Sequence, residues 1–155
     1  MKIITNNPSQ TRKIGEILAK EILKSKLEKA FTLGLEGDLG GGKTTFLQGF
    51  GKGLGIKEKI LSPTFVIMKR FKIPKGKNFY SLSTTRWFYH LDCYRVKNEK
   101  DILNLGFKDL VLNSKNIIAV EWIEKIKGIL PKNTLILKFK FLNKNIRKIK
   151  LKIKR

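Results

Sequence analysis

The chain has 155 residues, 41% of them hydrophobic, which suits one globular domain around a single core and excludes both a disordered chain and two independent domains. Its 34 Lys and Arg against 12 Asp and Glu leave a formal charge of +22, a field that attracts nucleic acid or an acidic protein. A single cysteine, Cys93, excludes an internal disulfide and points to a reducing compartment. No stretch has the apolar length of a signal peptide or a membrane span, so the expectation is a cytoplasmic protein with no membrane role.

In chain order, Asn7 can cap and Pro8 can open a first helix running to about Leu27, with Ile14, Leu18, Ile22 and Leu23 in a stripe at helical spacing. Residues 30–36 alternate as a short strand. The segment that follows, from Gly37 to Thr44, reads G-x-x-x-x-G-K-T. Each residue type has a physical task at that spacing. The glycines let backbone N–H groups of Asp38, Leu39, Gly40, Gly41 and Gly42 turn inward around a di- or triphosphate. Lys43 reaches the outer phosphates, and the Thr44 hydroxyl can ligate Mg²⁺. Thr45 continues into a helix-like apolar run, so strand, glycine turn and helix N-terminus follow in the order a phosphate site requires. Gly51, Gly53 and Gly55 are expected to thin out and end that helix.

Beyond it, Pro63 biases Ser62 away from helix, making residues 60–64 a loop. Residues 65–71 read as a strand and 73–85 as a polar loop. Residues 86–92 form an aromatic strand, and 99–112 a helix interrupted at Gly106. Residues 117–121 make an apolar strand of the kind buried on both faces. A short helix over 122–127 is closed by Gly128 and Pro131. Residues 135–141 and 146–153 form a hairpin around Asn143-Lys144-Asn145, with Lys138, Lys140, Lys148, Lys150, Lys152 and Lys154 on a water-facing side. These elements predict an α/β fold: a P-loop NTPase-like mixed sheet flanked by helices, ending in a C-terminal antiparallel hairpin, in one domain over residues 1–155.

A phosphate cradle needs carboxylates to manage Mg²⁺, and P-loop enzymes carry them at the C-terminal ends of neighbouring strands. Asp92 and Glu121 both end predicted strands and are the candidate metal-site acids beside Thr44. The absence of an N-K-x-D guanine-reading motif favours ATP over GTP. His90, the only histidine, reads as a hydrogen-bonded structural residue, and Cys93 as a small packed one. Trp122 suits either a pocket wall or the core. Lysine's dominance over arginine fits compositional drift as well as it fits RNA contact, since arginine's fork is the better reader of bases.

Gly37 to Thr45, Ser62-Pro63-Thr64-Phe65, His90-Leu91-Asp92-Cys93-Tyr94-Arg95 and Glu121-Trp122, in this order, together resemble the TsaE (YjeE) family over nearly the whole chain. The resemblance implies a small, slow Mg²⁺-dependent ATPase that supports formation of N6-threonylcarbamoyladenosine (t6A) at position 37 of tRNAs. Its implied partners are a TsaD-type transferase and its TsaB-type paralogue, with tRNA met through that complex or through the lysine face. It further implies that Asp38 to Thr45 hold phosphates, that Thr44, Asp92 and Glu121 serve the metal and its water, and that Thr64 senses the γ-phosphate. Arg147 is placed near the nucleotide by analogy with the family's terminal arginine. Gly41 and Ile123 depart from the family's usual residues, and the 73–85 segment is longer than usual. A nucleotide-gated binding module that does not depend on turnover, and a small-molecule P-loop kinase, are the competing readings. The kinase would need a lid of arginines, which Arg70, Arg86 and Arg95 are too scattered to supply.

Overall fold

The computed structural model describes residues 1–75 and 85–155. Its strands are β1 (Lys2–Thr5), β2 (Phe31–Glu36), β3 (Met68–Ile73), β4 (Arg86–Asp92), β5 (Asn116–Glu121), β6 (Leu135–Phe141) and β7 (Arg147–Ile153). They form one seven-stranded sheet in the order β1-β7-β6-β2-β5-β4-β3. The four central strands β6, β2, β5 and β4 run parallel, while at the two sides β3, β7 and β1 are each joined by an antiparallel pairing, β3 to β4, β7 to β6 and β1 to β7. The helices are α1 (Pro8–Lys24), α2 (Lys43–Gly53), α3 (Glu99–Leu103) and α4 (Phe107–Leu112). The expected α/β architecture, with its mixed sheet and terminal hairpin, is the one observed.

Alternation along the strands sorts side chains to two faces. Leu33, Leu35, Phe88, Ile117, Ala119, Leu137 and Phe139 join Phe46, Leu47 and Phe50 of α2 in one buried cluster, against which α1 also packs. Tyr89, Leu91, Ile118, Val120 and Ile136 join Ile102, Phe107, Ile123 and Ile126 in a second cluster on the opposite face. Every residue of β5 is buried, as its continuous apolar run required.

Several boundaries differ from the expectation. The strand placed at residues 65–71 begins at Met68, because Phe65 and Val66 lie in an exposed turn and Ile67 takes a left-handed φ of 63°. The first helix stops at Lys24, where Ser25 turns extended. The helix assigned to 122–127 is a single 3-10 turn, Ile123–Lys125. The interruption at Gly106 is real, with φ 80° separating α3 from α4. β1 was not anticipated: its four residues exist as a strand only through pairing with β7. The loop assigned to 73–85 falls largely on residues 76–84, outside the described residues, while Ile73 itself closes β3. No described helix is long and apolar enough to cross a membrane.

Candidate nucleotide site

Register decides where the acids meet. In the parallel pair β4–β5, Asp92 lies opposite Glu121, and in β2–β5, Glu121 lies opposite Leu35, one residue before the end of the P-loop strand. Leu35, Ala119 and Phe88 all point to the α2 face, so Glu121 and Asp92, at even spacing from the last two, point there as well. The chain leaves β2, turns through Gly37 to Gly42 and enters α2 at Lys43 directly above those strand tips. Gly42 caps α2 with φ 101°, and Gly37 holds φ 135° where a Cβ would come 2.4 Å from the Phe139 carbonyl oxygen. Neither position accepts a side chain without moving the turn. The first-turn amides of α2 have no intrahelical acceptor and point toward the concavity, presenting N–H donors and the positive end of the helix dipole.

The resulting cavity, of about 330 Å³, is walled by residues 39–45 together with Ser62, Thr64, Asp92, Tyr94, Glu121, Trp122 and Arg147, with Pro8 and Thr11 at the start of α1. Lys43 Nζ donates to the carbonyl oxygens of Gly37 (2.5 Å) and Asp38 (2.9 Å) and sits 4.0 Å from the centre of the Trp122 ring. Burial pushes its ammonium below the ordinary value of 10.5, an effect opposed by the negative charges of Glu121, Glu124, Asp92 and Asp38. Thr44 Oγ1 donates to Glu121, 3.2 Å from both carboxylate oxygens. Glu121 Oε1 is also 2.8 Å from Nε2 of the fully buried His90. Asp92 Oδ2 accepts from Ser62 Oγ and, at 2.9 Å, from Thr64 Oγ1, while Oδ1 accepts from the Tyr94 amide at 2.8 Å. Among the described residues no three His, Cys, Asp or Glu side chains are grouped to hold a metal by themselves.

A family described as "Threonylcarbamoyl adenosine biosynthesis protein TsaE" matches residues 5–149. The chain belongs to the TsaE family. Relatives named "tRNA threonylcarbamoyladenosine biosynthesis protein TsaE" include one from Haemophilus influenzae, 34% identical over 80% of this chain and 72% of its own length. The one from Bacillus subtilis is 35% identical over 87% and 74%, and the one from Treponema pallidum 28% identical over 96% and 98%. The crystal structure of Bacillus subtilis YdiB superposes with a TM-score of 0.74 at 31% identity, covering 99% of this chain and 84% of that one.

In this TsaE chain the residues singled out from sequence come together around one cavity: Lys43, Thr44, Thr45, Thr64, Asp92, Glu121, Arg147, and Leu39 with Gly40 to Gly42. Asp38 stands apart, contributing its carbonyl to Lys43 and to the Gly41 amide but no part of the wall. Leu39 is 80% exposed, so only its backbone suits a buried phosphate. Arg147 Nη1 donates to the carbonyls of Asn143 (2.7 Å) and Ile146 (3.2 Å) within its own hairpin, and the residue lines the cavity, which brings the terminal hairpin to its rim. Arg95 stacks on Phe65, 4.4 Å from the ring centre, and does not line the cavity. Burial raises the Cys93 thiol to about 12, with Asp92 adding to the effect, so the group is inert near neutrality. Sequence reasoning passed over Ser62 and Tyr94 as site residues. Ser62 was within reach, two positions before Thr64 in the same loop, whereas the His90–Glu121 bond depends on strand order, which no local pattern discloses.

Proposed function

We propose that this protein is a Mg²⁺-dependent ATPase that serves as an accessory subunit in threonylcarbamoyladenosine modification of tRNA, acting with a TsaD-type transferase and a TsaB-type paralogue. The single observation that carries the reading is the meeting of Lys43 and Thr44, on the glycine turn, with Glu121 and Asp92, on two neighbouring strand tips, around one cavity. The relatives' names, which place them in tRNA threonylcarbamoyladenosine biosynthesis, support the pathway.

The chain's own groups suit phosphoryl chemistry by positioning and charge neutralisation. Lys43 is held by two backbone carbonyls and already oriented over Trp122, so its ammonium meets a phosphate with little conformational freedom left to lose. The first-turn amides of α2 bind the phosphates and orient them. Thr44 Oγ1 with Glu121 and Asp92 is an all-oxygen set that fits Mg²⁺, which when bound would neutralise charge on the phosphates. His90 fixes the Glu121 carboxylate from behind, and Ser62 with Thr64 fix that of Asp92. Because Asp92 is tied to the 62–64 loop, that loop is positioned to respond to occupancy of the site, which supports a nucleotide-gated switch as the second reading.

The test is nucleotide binding and single-turnover hydrolysis with Lys43→Ala, Glu121→Gln and Asp92→Asn, with and without the transferase pair. Lys43→Ala is expected to abolish binding. The two acid variants are expected to bind but lose about 10²-fold or more in turnover, the scale of losing a group that acts in the transition state. Wild-type hydrolysis in all three would remove the proposed site. Full tRNA modification with a non-hydrolysable ATP analogue would favour the switch.

A further inference from the structure

The sheet is covered unequally. α1 and α2 lie across one face, whereas on the other the second apolar cluster covers β5 and β4 and reaches only as far as Ile136 of β6. Beyond it the β1-β7-β6 part of that face is open, and the register fills it with lysines. Lys138 lies opposite Lys150, Lys140 opposite Lys148, and Lys152 opposite Ile136. On the far side Lys2 lies opposite the same Lys150 and Ile4 opposite Lys148. Lys2, Lys138, Lys140, Lys150 and Lys152 are exposed and Lys148 is half-buried.

Compositional drift explains many lysines but not this arrangement. On the helical side lysines come with acids: Lys13, Lys20 and Lys52 surround Glu16, and Lys24 pairs with Glu21. On the open face Glu36 alone, at its inner margin, meets Lys138 (3.0 Å) and Lys152 (4.0 Å). Among the described residues Lys2, Lys140, Lys148 and Lys150 have no carboxylate within ion-pair distance, and no Asp or Glu follows Glu124 in the chain. Like charges placed directly opposite on paired strands destabilise a sheet. An ordered row of anions relieves that repulsion and releases its own counterions.

The geometry points to this open face as a binding surface for the phosphate backbone of folded RNA, read without regard to sequence. Lysines two apart on a strand repeat at about 6.8 Å and adjacent strands at about 4.8 Å, a two-dimensional array of point charges suited to a helical backbone. Among the described residues the face carries no aromatic side chain on which bases could stack, which argues against single-stranded RNA. It carries no arginine fork for reading base edges either. The choice of RNA over other polyanions rests on the proposed role in tRNA modification.

The test measures anisotropy of a labelled tRNA transcript with the full chain, without nucleotide, between about 50 and 200 mM salt. Four to six neutralised phosphates give a slope of log Kobs against log salt of about −4 to −5. K140Q/K148Q/K150Q should weaken binding at least tenfold and flatten the slope by about 2 to 3, while ATP hydrolysis by the isolated protein stays unchanged. K26Q/K57Q/K59Q removes the same charge from exposed positions elsewhere and should bind tRNA as wild type does. Duplex RNA of unrelated sequence should compete as well as tRNA. Equal loss in both triple variants would overturn the proposal, since net charge alone would then suffice. Equal competition by poly-glutamate or by phosphatidylglycerol vesicles would overturn it too. Because RNA binding is read without nucleotide, it stands or falls apart from any failure of ATP hydrolysis.

Discussion

Lys43 shows how burying an ammonium weakens a fold. Burial holds its ammonium below the ordinary 10.5, so the unfolded chain binds the extra proton more tightly than the folded one. Stability therefore rises with pH across the window just beneath 10.5, and the cost is felt in full at neutral pH. Lys43→Met keeps the stem and removes the charge. Its melting temperature without nucleotide should exceed wild type at pH 7, and that advantage should shrink as pH approaches 10.5. Each kcal/mol is worth roughly 2–4 °C in a domain of this size, so calorimetry at the two pH values resolves the effect. A lower melting temperature at pH 7 would mean that the bonds to Gly37 and Asp38 outweigh desolvation. The residues of the glycine turn were legible in sequence because their chemistry is local and fixed by spacing. Asp92 and Glu121 were legible because acids at apolar strand ends stand out in a basic chain. The bonds from Ser62 to Asp92 and from His90 to Glu121 span about thirty positions and become visible only once β4 and β5 are neighbours.

At the level of elements, α2 ends at Gly53 with Gly55 at φ 80° just beyond it, as its glycines led one to expect, and the same glycines also form a contact surface. A Cβ on Gly49 would lie 1.8 Å from the Arg12 carbonyl oxygen, and one on Gly53 would lie 2.5 Å from that of Glu16. From the other side, a Cβ on Gly15 of α1 would lie 2.2 Å from the Phe46 carbonyl oxygen. The two helices touch backbone to backbone, and this contact positions both Pro8 and Lys43 at the cavity. Gly49→Ala should therefore destabilise by about 2–3 kcal/mol, since overpacking outweighs a helix-propensity gain of about 1 kcal/mol. An unchanged urea midpoint would mean that α1 can slide, and a raised one that propensity wins. Helices and central strands were readable because each carries its own period of 3.6 or 2. β1 was not, because Lys-Ile-Ile-Thr holds no period and acquires its bonds from β7, some 145 positions away. The early start assigned to β3 has a similar origin: Phe65 and Val66 are strand-forming types that tertiary structure leaves in a turn, 84% and 66% exposed.

For the whole molecule, a formal charge of +22 on 155 residues makes self-repulsion a standing cost of the compact state. Its sharpest local expression is the run of lysine-opposite-lysine pairs across β1, β7 and β6, the part of the sheet that also carries Arg147 to the cavity rim. Screening should relieve this cost, because the Debye length falls from about 30 Å at 0.01 M salt to about 8 Å at 0.15 M. The melting temperature should rise by several degrees over that range, against the weakening with salt expected of a fold held by surface ion pairs. K140Q/K148Q/K150Q should melt higher than wild type at the low end, with the difference fading as salt is added. Equal melting of the two proteins at the low end would show that the lysine ladder adds nothing to the repulsion. A melting temperature that fell with salt would show that the pairs around Glu16 and Glu36 outweigh the excess of positive charge.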